Sequence, residues 1–211
     1  MKEMLKSSLL ATLAVAVTCL LPTPAQAGQE KLAAQIAETS QQVVSTRNQL
    51  QATMNALTAL VDQKGGDLRP AFQKFQAEVV KTKAAAEVTK GTAAGMAHQS
   101  AAYFSEWEKD IAGVSNEKLR KNAQRRMTAV KGNYADATKA LEAAGGKFAP
   151  FLSDLADIEK ILTNDLTAGG IKAIKGTASS AKFNMGNVRR YIQTATESLD
   201  KMSARLKPDA K

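Results

Sequence analysis

Apolar and small residues recur along this chain at alternating steps of three and four residues, with little interruption after Leu68. One register runs from Phe72 to Trp107, a second from Met127 to Leu162, and a third from Ile171 to Leu206. A hydrophobic period of 3.5 residues is typical of helices that pack along a shared seam. The pattern therefore predicts three long amphipathic helices.

A further helix is predicted before Leu68. Its apolar positions have strict heptad spacing, but the second seam position of the first three heptads, three residues later, is polar. The apolar positions are Ile36, Val43, Leu50 and Leu57, and the polar positions are Thr39, Thr46 and Thr53. Because threonine buries less apolar area than leucine, we expect this seam to be weaker than the others. Small residues also occupy the seams of the second and fourth helices (Ala86, Thr89, Ala93, Ala178 and Ala181), where they favour close helix approach.

Glycine, proline and capping residues predict where the helices begin and end. We expect helices at about 30–61, from Arg69-Pro70 to Gly113, from Ser115 or Asn116 to about 164, and at 171–206, with a turn at 167–170. The apolar register of the third helix passes Gly145-Gly146 and Pro150 without a change of phase. A bent but continuous helix is therefore predicted there.

No segment alternates with the two-residue period of a strand, so the expected class is all-α. Short connections make neighbouring helices antiparallel. The sequence thus predicts an elongated antiparallel bundle of four long helices with coiled-coil-like seams, as a single domain over residues 28–211.

The first 27 residues have the layout of a cleavable signal peptide. Lys2 and Lys6 precede an apolar stretch from Leu9 to Leu21, which is too short to span a bilayer, and Ala25-Gln26-Ala27 is a cleavage site. The single cysteine, Cys19, lies inside the apolar stretch and follows Thr18, where a lipoprotein site needs a small residue. We therefore expect export to the periplasm without a lipid anchor.

The chain is basic, with 29 Lys and Arg against 20 Asp and Glu and a formal charge of +9. Such a charge favours anionic partners such as lipid head groups or acidic proteins. Export and an aromatic content of only 5% argue against nucleic acid, because few base-stacking side chains are present.

The sequence carries no recognisable catalytic or cofactor-binding motif. Its single histidine, His98, falls on the outward face of the second helix, without a carboxylate cluster at ligand spacing. We therefore predict that the protein is not an enzyme and needs neither a metal nor another cofactor.

A basic cluster at the start of the third helix is the strongest candidate site. Between Lys118 and Lys131 the chain has six basic residues and no acidic one. An antiparallel bundle brings the end of the fourth helix towards this region, so we expect Lys201, Arg205 and Lys207, together with Arg189 and Arg190, at the same pole. The predicted anion- or partner-binding residues are Lys118, Lys121, Arg125, Arg126, Lys131, Arg189 and Arg190.

Several short motifs resemble the family known as domain of unknown function 2959. They are Gly65-Gly-Asp-Leu68, Phe104-Ser-Glu-Trp-Glu108, Ser115-Asn116 followed by Leu119-Arg120, Tyr134, and Phe148-Ala-Pro-Phe-Leu152. The likeness spans roughly residues 31–202. It implies an exported helical protein with no established activity, and it transfers no catalytic residue.

Two functional hypotheses follow. In the first, the protein is a non-enzymatic structural or interaction protein of the cell envelope that associates with itself or with other envelope proteins through its helical seams. In the second, it is a basic peripheral protein that binds anionic membrane surfaces or, like a chaperone, exported clients. The first hypothesis is favoured, and homo-oligomers are compatible with it.

Overall fold

The computed structural model describes residues 24–207, and over that range it consists of four long helices and no strand. They are α1 (Pro24–Val61), α2 (Arg69–Ala112), α3 (Glu117–Asn164) and α4 (Ala168–Leu206). The predicted all-α bundle of four helices is confirmed. The start of α1 precedes the predicted cleavage site, and the rest of the predicted signal peptide lies outside the described residues.

The four helices form an antiparallel ring. Each helix packs against its neighbours in the chain, and α4 closes the ring against α1. The α1–α2 and α3–α4 interfaces are the most extensive, whereas α2 and α3 share the least contact. The bundle is therefore two tight hairpins joined by a moderate α1–α4 seam and a thin α2–α3 seam. Helices of 38 to 48 residues are about 57–72 Å long, so the bundle is elongated.

The α1–α2 hairpin is held by buried threonine hydroxyls as well as by apolar packing. Thr53 Oγ1 lies 2.6 Å from Thr82 Oγ1, and Thr46 Oγ1 lies 2.8 Å from Thr89 Oγ1. Thr39 donates to the carbonyl of Thr92 at 3.2 Å. Each of these buried hydroxyls has a hydrogen-bond partner on the other helix, and we call the set of bonds the threonine ladder. The ladder fixes the register of α1 against α2 more sharply than apolar contacts alone would.

The α3–α4 hairpin has an apolar seam. Phe151, Leu155 and Ile158 have no exposed surface, and Asp154 beside them accepts hydrogen bonds from Ser180 at 2.9 Å and Asn184 at 2.7 Å. These polar contacts lie beside the apolar seam and join α3 to α4.

Helix α3 passes through Gly145-Gly146 and Pro150 without interruption, which confirms the predicted continuity. A proline inside a helix removes one backbone hydrogen bond and crowds the carbonyl four residues earlier, here that of Gly146. Pro150 and Gly146 are both exposed, so water can solvate the freed carbonyl. The placement of the proline on the solvent face explains why the helix continues.

The start of α4 differs from the prediction. Residues 168–170 belong to the first turn of the helix rather than to a connecting turn, and Thr167 is the N-cap. Its Oγ1 accepts from the amides of Gly169 at 3.2 Å and Gly170 at 3.3 Å, which satisfies two of the free donors at the helix start. Two adjacent glycines suggested a break, but the threonine cap outweighs their low helix propensity.

The buried core divides into two apolar clusters along the bundle. The larger contains Phe75, Phe151 and Leu155, and the smaller contains Met96, Phe104 and other residues near the opposite end. Between the large residues of α2, the seam positions Ala86, Thr89 and Ala93 are small and only partly buried. The side of α2 that faces α3 is therefore poorly filled midway along the bundle.

Candidate functional site

Four of the predicted binding residues lie together on the first turns of α3, and we call them the basic pole: Lys118, Lys121, Arg125 and Arg126. All four side chains are exposed. Asn116 caps this end of the helix by accepting from the amide of Leu119 at 3.1 Å. Leu119, a large apolar residue on the same turns, is 60% exposed.

Three of these four cations form ion pairs or hydrogen bonds with nearby residues. Lys121 forms an ion pair with Glu117 at 2.6 Å, and Arg125 donates to the side chain of Asn122. Arg126 donates to the backbone carbonyl of Arg205 at 3.1 Å, in the last turn of α4. Since a cation near a helix C-terminus stabilises the helix, Arg126 has a structural role in joining the two helices.

The other predicted residues lie elsewhere. Lys131 forms an ion pair with Glu108 of α2 and lies over the ring of Phe104, with Nζ 5.3 Å from the ring centroid. Arg190 precedes Arg205 by fifteen residues of α4, or about 22 Å along the helix. Arg189, next to it, donates to Gln51 of α1 at 3.2 Å.

The basic pole therefore does not include Arg189 and Arg190, contrary to the grouping predicted from sequence. Because only three residues connect α3 to α4, Arg190 lies about 33 Å along α4 from this connection, whereas Arg126 lies about 57 Å from it along α3. Arg189 and Arg190 are therefore nearer the middle of the bundle. Of the α4 residues that were also predicted for this pole, Arg205 contacts Arg126 through its backbone carbonyl, and Lys207 follows it as the C-cap of α4. The anion-binding role of the cluster remains a prediction.

A cavity of about 640 Å³ lies near the same end, between the start of α1, the end of α2 and the start of α3. Tyr103, Trp107 and Arg126 line it, and burial raises the pKa of the Tyr103 phenol. Gln26 and Ala27 also line it. Because both belong to the predicted signal peptide, cleavage there would remove part of the lining of this cavity.

The outer face of α2 carries small and apolar side chains along several turns. The small and apolar residues exposed on this face are Ala77, Val80, Ala84, Val88, Gly91 and Ala94, and the exposed Lys81 lies beside them. Val80 is 64% exposed and Val88 is 49% exposed, which makes them two of the most exposed large apolar residues in the described bundle. His98 lies on the same helix and is also exposed. Sequence reasoning missed this face, although its seven-residue spacing is visible beside the buried register.

A second cavity lies between α2 and α3, midway along the bundle, and we call it the central groove. Its volume is about 590 Å³. Small residues of α2 such as Ala93 and Ala97 face larger residues of α3 such as Leu141 and Phe148. The small residues that suggested close helix approach thus leave space towards α3, while the threonine ladder provides the contact with α1.

Within residues 24–207, no group of three or more His, Cys, Asp or Glu side chains is placed to hold a metal ion. None of the helices in that range is both long and apolar enough to cross a membrane.

The geometry defines an all-helical bundle whose notable surfaces are a basic pole, an apolar outer face and a groove. The family model described as a protein of unknown function, DUF2959, matches residues 26–206. The match covers nearly the whole described bundle, so the chain belongs to this family. No curated protein is significantly similar to the chain.

Proposed function

We propose that the protein is an exported, non-enzymatic interaction protein of the cell envelope that associates with a second copy of itself through the outer face of α2. The observation that carries this proposal is the exposure of Val80 and Val88 within a face of small residues. Small side chains let two helix backbones approach closely, and the two valines supply apolar area that water disfavours. The signal-peptide pattern of residues 1–27 supports the periplasmic location.

The test is the oligomeric state of the purified protein. We expect a dimer by analytical ultracentrifugation that persists in about 0.5 M salt, because the Debye length is then below about 5 Å while apolar contacts are retained. Replacing Val80 and Val88 by lysine should give a monomer with unchanged helical signal. The matched control replaces Ile161 and Phe183, exposed apolar residues of α3 and α4, by lysine and should stay dimeric. A monomeric parent, or equal dissociation of both variants, would contradict the proposal.

A second candidate function is binding to an anionic membrane surface through the basic pole. The observation that favours it is the group of four exposed cations on the first turns of α3, with the exposed Leu119 on the same turns, since an apolar side chain near cations suits the boundary between head groups and acyl chains. Each cation near an anionic surface contributes about 1 kcal/mol, so several on one face are needed for useful affinity.

Replacing Lys118, Lys121 and Arg125 by glutamate should abolish flotation with vesicles that contain anionic lipid. Arg126 is left intact because it contacts the end of α4. The control replaces Lys172, Lys175 and Lys182, three exposed lysines of α4, by glutamate and so makes the same change in net charge elsewhere. Binding should also fall steeply with added salt. Equal loss in both variants would show a general charge effect and no specific role for the pole.

A further inference from the structure

The central groove has the size and lining of a ligand site. Binding pockets for small molecules have volumes of about 300–1,000 Å³ and mostly apolar walls. The groove has a volume of about 590 Å³ and is lined by residues from all four helices, with Val43 of α1 and Val188 and Ile192 of α4 at its base. Its apolar lining continues along several turns of α2 and α3, so its shape suits an elongated chain.

Ion pairs close the α2–α3 seam on either side of the groove. Lys83 lies 4.0 Å from Glu159 at one end, and Lys131 pairs with Glu108 at the other. Exposed ion pairs of this kind contribute little to stability. These ion pairs therefore add little to the energy that holds the α2–α3 seam closed over the groove.

The rim of the groove carries two charged side chains of α2 that form no ion pair within residues 24–207. Glu87 and Lys90 of α2 both line the groove, and neither forms an ion pair or side-chain hydrogen bond with another residue of the described range. By contrast, Lys83 one heptad earlier has an acidic partner on α3. The unpaired ammonium and carboxylate, one helical turn apart, are complementary to a phosphate and an amine on one ligand.

The groove also contains a polar group without a partner. The hydroxyl oxygen of Thr138 is buried and accepts or donates no hydrogen bond within residues 24–207. A buried hydroxyl left unpaired costs free energy, and a polar atom of a bound ligand would satisfy it. Glu142, one turn further along α3, is the other charged residue of the lining.

We propose that the central groove binds the acyl chain of a single-chain phospholipid with a zwitterionic head group. The chain lies against the apolar walls, the phosphate contacts Lys90, and the amine contacts Glu87. This site is separate from the outer face of α2 and from the basic pole, so the inference does not depend on the function proposed above.

Isothermal titration of the purified protein with palmitoyl lysophosphatidylethanolamine, kept below its micelle concentration, tests the site. We expect saturable binding with one lipid per chain. Ala93→Leu places extra methyl groups in the groove and should weaken binding at least about tenfold, as the loss of contacts from two methylene groups would. Ala135→Leu makes the same change at an exposed position of α3 outside the groove and should bind like the parent.

The head group is tested separately, with palmitate and monopalmitoylglycerol as the anionic and uncharged probes. The parent should prefer the zwitterionic lipid to both, and Glu87→Lys should shift the preference to palmitate by about tenfold. This surface substitution does not alter packing, so it remains informative if Ala93→Leu folds poorly. No binding by the parent, or equal binding by Ala93→Leu, overturns the groove as the site. Equal affinity for the three lipids overturns the assigned head group, and a change of oligomeric state in Ala93→Leu would indicate a second chain as the occupant.

Discussion

Replacing Phe151 by alanine should lower the free energy of unfolding by about 3–5 kcal/mol. Phe151 has no exposed surface and lies in the larger core cluster, where its ring is 5.9 Å from that of Phe148 in an edge-to-face arrangement. Alanine would lose the transfer free energy of the ring and leave a void that neighbouring helices fill only in part. Urea unfolding followed by circular dichroism at equilibrium measures the change.

Phe183 provides a control of the same residue type. It is 71% exposed on α4, so Phe183→Ala should change the free energy of unfolding by no more than about 0.5 kcal/mol. Similar losses in the two variants would mean that Phe151 is not a core residue of the bundle in solution. A large difference would confirm that the apolar seam of α3 is buried as described.

Helix positions were predictable because burial in a bundle repeats with a 3.5-residue period, and that period is visible without any knowledge of neighbours. The third register of apolar residues is buried almost throughout α4. In the second register, the positions from Phe151 to Leu162 are buried, whereas Met127, Tyr134, Leu141 and Phe148 of α3 are only partly buried. Near the end of α2, the prediction of which residues are buried was less accurate. Tyr103 and Trp107 were placed in the seam, but Phe104 and Ile111 are the buried residues there, and the two predicted aromatics are half-buried.

The candidate sites were less predictable because they depend on contacts between helices. The basic pole on α3 follows from local sequence. The separation of Arg190 from it could also have been predicted, because a short α3–α4 connection places the end of α4, and not Arg190, beside the start of α3. The central groove required knowledge of which helix faces Ala93. A run of small residues predicts either close approach or a gap, and only the packing of α2 against α1 rather than α3 decides between them.

The threonine positions of α1 are a second case in which the sequence pattern did not reveal the contacts between helices. Thr39, Thr46 and Thr53 suggested a weak seam because their side chains bury little apolar area. In the bundle they are buried and bonded to α2, which makes that hairpin one of the two extensive interfaces. Whether a polar seam position weakens or orders a bundle depends on partners that lie far along the chain.

Gly170→Ala should lower the free energy of unfolding by about 2–3 kcal/mol. A methyl group at this buried position would lie 1.9 Å from the backbone carbonyl oxygen of Asp165. Because the obstacle is backbone, a side-chain rotation cannot relieve the overlap, and either the α3–α4 connection or the first turn of α4 must move. Urea unfolding of the purified variant measures the loss.

The matched control is Gly176→Ala, in the same helix, where an added methyl group would meet no atom within 4 Å. It should raise the free energy of unfolding by about 1 kcal/mol, because alanine has the higher helix propensity. Opposite signs for the two variants would show that Gly170 is required by the close approach of the two helices and not by a break between them. If both variants were stabilised, the tight connection at Asp165 would not exist in solution, and the Thr167 cap would be the only determinant of where α4 begins.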